Sequence, residues 1–178
     1  SWTHPTGQGG GAPVTSKGRA YTLGWENNQE ILTAIDIATG TVVWKKGYPA
    51  PAYGRRSKGD YAMYKGPSST PEIDPISQRI FTVGNDGDVL ARSRDSGKLL
   101  WRRNLYDDFD PPQRPKLTRM GHRDYGYTTA PMLWNNHLLI EVGDPKQGTV
   151  LAVDPATGTN QWWSAHKYHA GHTGGFTP

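Results

Sequence analysis

The sequence contains no cysteine. A disulfide framework, thiolate metal sites and covalent attachment of c-type haem are therefore excluded within its 178 residues. No apolar stretch approaches the roughly eighteen residues that a membrane-spanning helix requires, so the sequence predicts no membrane span. The net charge is only +4, which gives no general reason to expect nucleic acid as a partner.

Helical periodicity is also lacking. The apolar runs are short, and 22 glycines and 14 prolines interrupt them throughout the chain. Phenylalanine and methionine are scarce, with three of each, whereas seven tryptophans and nine tyrosines are present. We therefore predict no helix and a core that is rich in large aromatic side chains.

What the sequence does contain is one motif written three times. Residues 34–44, 91–101 and 152–162 all place alanine, glycine and tryptophan at the same spacing. The glycines, Gly40, Gly97 and Gly158, recur at intervals of about 60 residues, which is typical of a repeat architecture. Each motif lies in a longer unit that begins with small residues and a proline.

Each unit offers four short strands. In the second unit they are predicted near 71–74, 79–84, 89–94 and 98–105, separated by residues that favour turns. The motif glycine lies between the last two strands, where we expect a left-handed backbone, and Asp36 and Asp154 are placed to bond backbone N–H groups of that turn. Four antiparallel strands at this period indicate the blades of a β-propeller rather than a solenoid.

The pattern Ala-x-Asp-x-x-x-Gly-x-x-x-Trp resembles the tryptophan-docking motif of quinoprotein-type, or PQQ-like, β-propellers. The first and third copies match it fully, and the second has Ser93 in place of the aspartate. The resemblance covers nearly the whole chain and implies an all-β fold of four-stranded antiparallel blades. It also implies that Trp44, Trp101 and Trp162 lock neighbouring blades together.

The domain organisation predicted from the repeats is a single partial propeller spanning residues 1–178. We expect blades at 9–46, 67–105 and 127–165 and the start of another at 173–178. About three blades form an incomplete ring, because propellers typically have about four to eight. Further blades of a longer polypeptide, or another chain, are therefore expected to complete it. The resemblance implies a periplasmic or secreted, extracellular protein.

The connections between the units are long, at 45–67, 106–127 and 163–173. Connections of this length usually have a function, and in propellers they lie on the face where ligands and partners bind. The candidate partner or ligand residues are basic and aromatic side chains: Tyr53, Arg55, Arg56, Tyr61, His122, Arg123 and Tyr125. They suit an anionic partner or a saccharide, and the alternative is a solvated loop.

Two clusters could bind metal ions. His166, His169 and His172 have a spacing that can hold zinc or copper if the segment is an irregular loop. Asp107, Asp108 and Asp110 could bind Ca²⁺, and the alternative is local pairing with Arg102, Arg103 and Arg114.

No catalytic motif such as Gly-x-Ser-x-Gly or a phosphate-binding loop is present, so no catalytic residue is predicted. The first hypothesis is a non-catalytic interaction or ligand-binding scaffold, with a protein or saccharide partner. The first alternative, which the resemblance implies, is part of a PQQ- and calcium-dependent alcohol or sugar dehydrogenase. No residue of this chain could be assigned to PQQ and no cofactor is predicted for it, although the resemblance implies that the full-length protein could bind PQQ and Ca²⁺. The second alternative is a carbohydrate-binding propeller.

Overall fold

Three four-stranded antiparallel sheets account for almost all of the regular structure. The computed structural model describes residues 1–51, 66–109 and 126–167. The strands follow in chain order within the sheets: β1 (Val14–Ser16), β2 (Arg19–Glu26), β3 (Gln29–Asp36) and β4 (Val42–Pro49) in sheet 1; β5 (Glu72–Asp74), β6 (Arg79–Val83), β7 (Asp88–Ser93) and β8 (Leu99–Asn104) in sheet 2; β9 (Met132–Trp134), β10 (His137–Asp144), β11 (Gly148–Val153) and β12 (Asn160–Trp163) in sheet 3. The predicted all-β class and four-stranded blades are confirmed.

Asparagine pairs form two of the hairpin turns. Asn27 and Asn28 have φ values of 51° and 60°, and they join β2 to β3 in a register that runs from Arg19 opposite Asp36 to Glu26 opposite Gln29. Two residues of positive φ match the right-handed twist of the flanking strands, and asparagine tolerates that conformation better than most residues. Two adjacent asparagines with positive φ likewise join β9 to β10.

The repeated motif forms the turn between the last two strands of each sheet. In sheet 1, Asp36 accepts a hydrogen bond of 2.9 Å from the Thr39 N–H, and Gly40 has a φ of 76°. Asp154 has the same role in sheet 3. In sheet 2, where Ser93 replaces aspartate, the backbone bond from Gly97 N–H to the Ser93 carbonyl is kept at 2.8 Å. The predicted left-handed glycines and aspartate-capped turns are therefore confirmed.

A tryptophan from earlier in the chain packs against each motif glycine. The indole N–H of Trp44 donates to the Arg94 carbonyl at 3.2 Å, and its ring lies against Gly97. In the same way Trp101 bonds the Pro155 carbonyl and lies against Gly158, and Trp2 bonds the Ile37 carbonyl and lies against Gly40. The acceptor carbonyl always lies three residues before the glycine.

Two apolar clusters join the sheets. One places Ile80 of sheet 2 against Tyr21, Leu32 and Trp44 of sheet 1. The other joins β6 and β7 to β10 and β11, with Phe81, Leu138 and Leu151 fully buried. The sheets therefore pack face to face in chain order. Sheet 2 lies between the other two, with one face on sheet 1 and the opposite face on sheet 3.

The prediction that the chain has no helix is wrong at one point. A short helix, α1 (Leu105–Phe109), follows β8 directly. The side-chain oxygen of Asn104 accepts hydrogen bonds from the backbone of Tyr106 and Asp107, which satisfies N–H groups at the start of the helix. Five residues are too few to show a helical period in the sequence, so only this cap could have signalled the helix.

The predicted start of the first connection is also wrong. Residues 45–49 belong to β4, which pairs with β3 as far as Pro49 opposite Gln29, and the Ala50 N–H extends the pairing to the Asn28 carbonyl. β4 is this long because β3 is equally long and offers a partner along its whole length. Lys45, Lys46 and Tyr48 are consequently strand residues.

Within the part of the chain that the structure describes, no helix has the length and apolar character needed to cross a bilayer.

Candidate functional site

The long connections all leave the sheets at the same end. Pro49 pairs with Gln29 at the β2–β3 turn, Asn104 pairs with Asp88 beside the β6–β7 turn, and the Thr149 N–H donates to the His166 carbonyl beyond β12. Each outer strand therefore ends beside the inner hairpin turn of its own sheet. We call this end of the three sheets the connection face.

The connections also return to this face. The side-chain amide of Asn85, in the β6–β7 turn, donates to the Gly66 carbonyl at 2.8 Å, and the Asn85 carbonyl accepts from the Tyr127 N–H at 2.9 Å. Gly126 packs so tightly on the Asn85 backbone that a Cβ would not fit. One turn of sheet 2 thus fixes the last residues of both connections.

Most of the residues predicted as a site lie outside the described residues: Tyr53, Arg55, Arg56, Tyr61, His122, Arg123, Tyr125, His169 and His172. Of the predicted histidine cluster the structure describes only His166, which is exposed. In residues 1–51, 66–109 and 126–167, no group of three or more His, Cys, Asp or Glu side chains is placed to hold a metal ion. The histidine site remains a prediction.

The acidic cluster at the start of the second connection is partly described. Asp108 pairs with Arg103 at 2.7 Å, as the alternative of local ion pairing predicted. Asp107 lies in the first turn of α1, where a negative charge is favourable. Asp110 lies outside the described residues.

Arg103 clamps sheet 2 to sheet 3. Its guanidinium donates at 2.7 Å to the Gly158 carbonyl and to the Asn160 side chain, and it lies 5.0 Å from the centre of the Phe109 ring. Phe109 in turn meets Trp163 edge to face at 4.9 Å. Arg103, Gly158 and Asn160 border a groove of about 480 Å³ between β8 and the motif turn of sheet 3. Arg103 therefore links sheets 2 and 3 and is not an unpaired cation in this groove.

A buried polar joint lies beneath the connection face, between sheets 1 and 2. The carboxylate of Glu30, which is 3% exposed, accepts hydrogen bonds from the Tyr48 hydroxyl and from the Asn85 N–H, the latter at 3.0 Å. Glu30 and Tyr48 fill the space over Gly84, so a Cβ would not fit there. Burial raises the pKa of Glu30 to about 7, the two hydrogen bonds oppose this rise, and the charges of Asp88 and Asp86 add to it.

The second half of this joint is an ion pair. Arg102 donates to Asp88 at 2.7 Å, and its guanidinium lies 5.0 Å from the centre of the Tyr48 ring. Burial, followed by the charges of Glu30 and Asp88, raises the pKa of Tyr48 well above its usual value. Tyr48 is therefore a hydrogen-bond donor at neutral pH.

Sequence reasoning missed Glu30, although a signal was available. Glu30 stands four residues before Ala34, and the equivalent positions of the other two repeats are Gly87 and Gly148. A carboxylate at this position in only one of the three repeats indicates that the contact between sheets 1 and 2 differs from the contact between sheets 2 and 3.

Three sheets that pack in chain order, with the tryptophans of sheets 1 and 2 on the turn of the next sheet, define a segment of a β-propeller. Solved propeller enzymes share this fold. The chain aligns with the europium-containing methanol dehydrogenase at a TM-score of 0.58 and 18% identity, covering 91% of this chain and 26% of that one. The quinohemoprotein alcohol dehydrogenase from Comamonas testosteroni gives 0.52 and 20%, covering 88% and 21%.

The crystal structure of BamB from Moraxella catarrhalis aligns at a TM-score of 0.47 and 16% identity, over 88% of this chain and 35% of that one. The chain thus spans between about a fifth and a third of these relatives. No curated protein sequence matches it.

Residues 1–122 match the family model described as outer membrane protein assembly factor BamB. The chain therefore belongs to this family of PQQ-like propellers.

Proposed function

We propose that the protein is a non-catalytic scaffold whose connection face binds a protein partner. The observation that carries this proposal is the match of residues 1–122 to the BamB family model. The fold supports it, because three long connections leave the sheets at one end, where an assembled propeller offers a broad surface. The same family description supports a periplasmic location beside the outer membrane.

We further propose that the basic and aromatic residues of the connections contact the partner. Tyr53, Arg55, Arg56 and Tyr61 belong to the first connection, and His122, Arg123 and Tyr125 to the second. Side chains of this kind suit a partner surface that is acidic and partly apolar. A saccharide is the competing ligand, because tyrosine rings also stack on sugars.

A pair of photo-crosslinking variants tests the proposal. A photoreactive residue at Asn27, which is exposed on the β2–β3 turn, samples the connection face. One at Ile76, which is 91% exposed in the β5–β6 turn, samples the opposite end. In the cells that produce the protein, we expect a discrete protein adduct from the first position and none from the second.

The double change Arg55→Ala and Arg56→Ala is expected to reduce that adduct several-fold, because rim charges speed association. The matched loss of charge is the double change Lys17→Ala and Lys98→Ala, in the β1–β2 and β7–β8 turns at the opposite end of the sheets. Equal adducts from both crosslinking positions would contradict the proposal, as would loss of the adduct on adding a saccharide.

The alternative is a quinoprotein dehydrogenase. It rests on likeness of fold to the methanol and alcohol dehydrogenases, which is separable from activity. Among the described residues, no group of three or more His, Cys, Asp or Glu side chains is placed to hold a metal ion, and we assign no chemical step to them. Dye reduction by the protein with PQQ, Ca²⁺ and a primary alcohol, absent without PQQ, would favour this alternative over the scaffold.

We also propose that the outer face of sheet 3 receives a further blade. Trp162 is 38% exposed, and the centre of its ring lies 5.9 Å from that of His137 in the same sheet. The equivalent Trp44 is 8% exposed because the next sheet covers it. Analytical ultracentrifugation tests whether another copy of the chain can supply that blade. Concentration-dependent association is expected, and Trp162→Ala should weaken it at least tenfold, since tryptophan is a frequent interface anchor. Association unchanged by this substitution would contradict the proposal.

A further inference from the structure

The joint at Glu30 is an interface between sheets with an acid at its centre. Glu30 and Tyr48 come from sheet 1, and Asn85 comes from the β6–β7 turn of sheet 2. Among the described residues, no basic side chain forms an ion pair with Glu30. A buried carboxylate without a cation is costly when ionised, and it avoids that cost when protonated.

The groups around Glu30 do not supply the missing cation. Asp86 in the turn and Asp88 on β7 are both acidic and buried. Arg102 on β8 bonds Asp88, and Arg92 on β7 donates to the Gly97 carbonyl. Tyr48 on β4 offers a neutral hydroxyl. Ionised Glu30 therefore has two hydrogen-bond donors and two neighbouring carboxylates of like charge.

The protonated form fits the same geometry without that repulsion. One carboxyl oxygen still accepts a hydrogen bond from the Asn85 N–H. The protonated oxygen donates its hydrogen to the oxygen of the Tyr48 hydroxyl. We propose that Glu30 is a proton-controlled joint between sheets 1 and 2, tight when its carboxyl is protonated and loosened when it is ionised. The position of Asn85 extends the effect, because this residue also bonds Gly66 and Tyr127 at the returning ends of both connections.

The sign of the pH dependence follows from linkage. The pKa of Glu30 is raised from 4.5 to about 7 on folding. Its contribution to stability is therefore fully present below about pH 4.5 and is lost as the pH rises through about 7. In that window the unfolding equilibrium constant is expected to rise by up to about tenfold per pH unit from this one group.

Urea unfolding of the full chain between pH 5 and 8 tests the proposal with two variants. Glu30→Gln fixes the neutral form and should remove this pH dependence, so the difference from wild type should grow between pH 5 and about 7 and then level off. Glu26→Gln removes an exposed carboxylate on the same hairpin and should parallel wild type. A Glu30→Gln profile that parallels wild type would overturn the proposal.

Amide hydrogen exchange tests the joint in the wild-type chain, whether or not the variant folds. After correction for intrinsic rates, protection at the Asn85 amide should fall by up to about tenfold between pH 6 and pH 8. The Gly97 amide, which bonds Ser93 at the other end of sheet 2, should keep its protection. Equal protection of Asn85 at both pH values would show that ionisation does not loosen the joint.

Discussion

Replacing Trp44 with alanine is expected to destabilise the protein by about 3–5 kcal/mol, the usual range for loss of a buried tryptophan. The ring is 8% exposed, packs on Gly97, and lies 5.9 Å from Tyr21, and its N–H bonds the Arg94 carbonyl. The substitution removes apolar contact from the interface of sheets 1 and 2, and it also leaves a carbonyl without its donor.

The matched control is Trp162→Ala, which removes the same side chain at the same position of the repeat. Because Trp162 is 38% exposed, we expect a loss of about 1 kcal/mol or less under conditions in which the chain is monomeric. Urea unfolding followed by circular dichroism measures both variants. Equal losses would mean that the ring stabilises its own sheet and not the interface.

Gly97→Ala is expected to cost about 2–5 kcal/mol, from two separate causes. Gly97 has a φ of 69°, and an alanine there pays about 1–2 kcal/mol for the left-handed conformation. Its Cβ would also lie 2.8 Å from Cε3 of Trp44, and overpacking of this kind typically costs about 1–3 kcal/mol. The glycine is thus required both by the turn and by the ring above it.

Gly18→Ala separates the two causes. Gly18 has nearly the same φ, 74°, but a Cβ there would meet nothing within 4 Å, so only the conformational cost applies. Adding Trp44→Ala to Gly97→Ala removes the ring that the new methyl group meets. The double variant should therefore lose less stability than the sum of the single variants. Strict additivity would show that ring and methyl do not interact.

The repeat made much of this fold predictable from sequence. Three copies of one spacing identified the turn glycines, the aspartates that cap the turns and the four strands of each sheet. The errors fall where local pattern carries no information. Tyr48 was assigned to a loop because the end of β4 depends on the length of β3, and α1 is too short to show a period.

The candidate site was less predictable for a physical reason. Glu30 becomes buried only when sheet 2 covers sheet 1. The sequence of its own hairpin does not show that this carboxylate will lie in the interface without a basic side chain as its partner. Arg103 likewise reaches its partners in sheet 3 across more than 50 residues of sequence. The basic and aromatic composition of the connections indicated a binding role, but composition does not specify which side chains converge.

The tryptophan and its glycine turn give the structure a direction. Sheet 1 places its ring on the turn of sheet 2, and sheet 2 places its ring on the turn of sheet 3, so the contact is head to tail and not symmetric. A two-fold pairing of like faces would set ring against ring and leave both turns uncovered. Any unit that extends the array with this contact must therefore enter in the same rotational sense, and a repeated contact of this kind builds a ring or an open array rather than a symmetric pair.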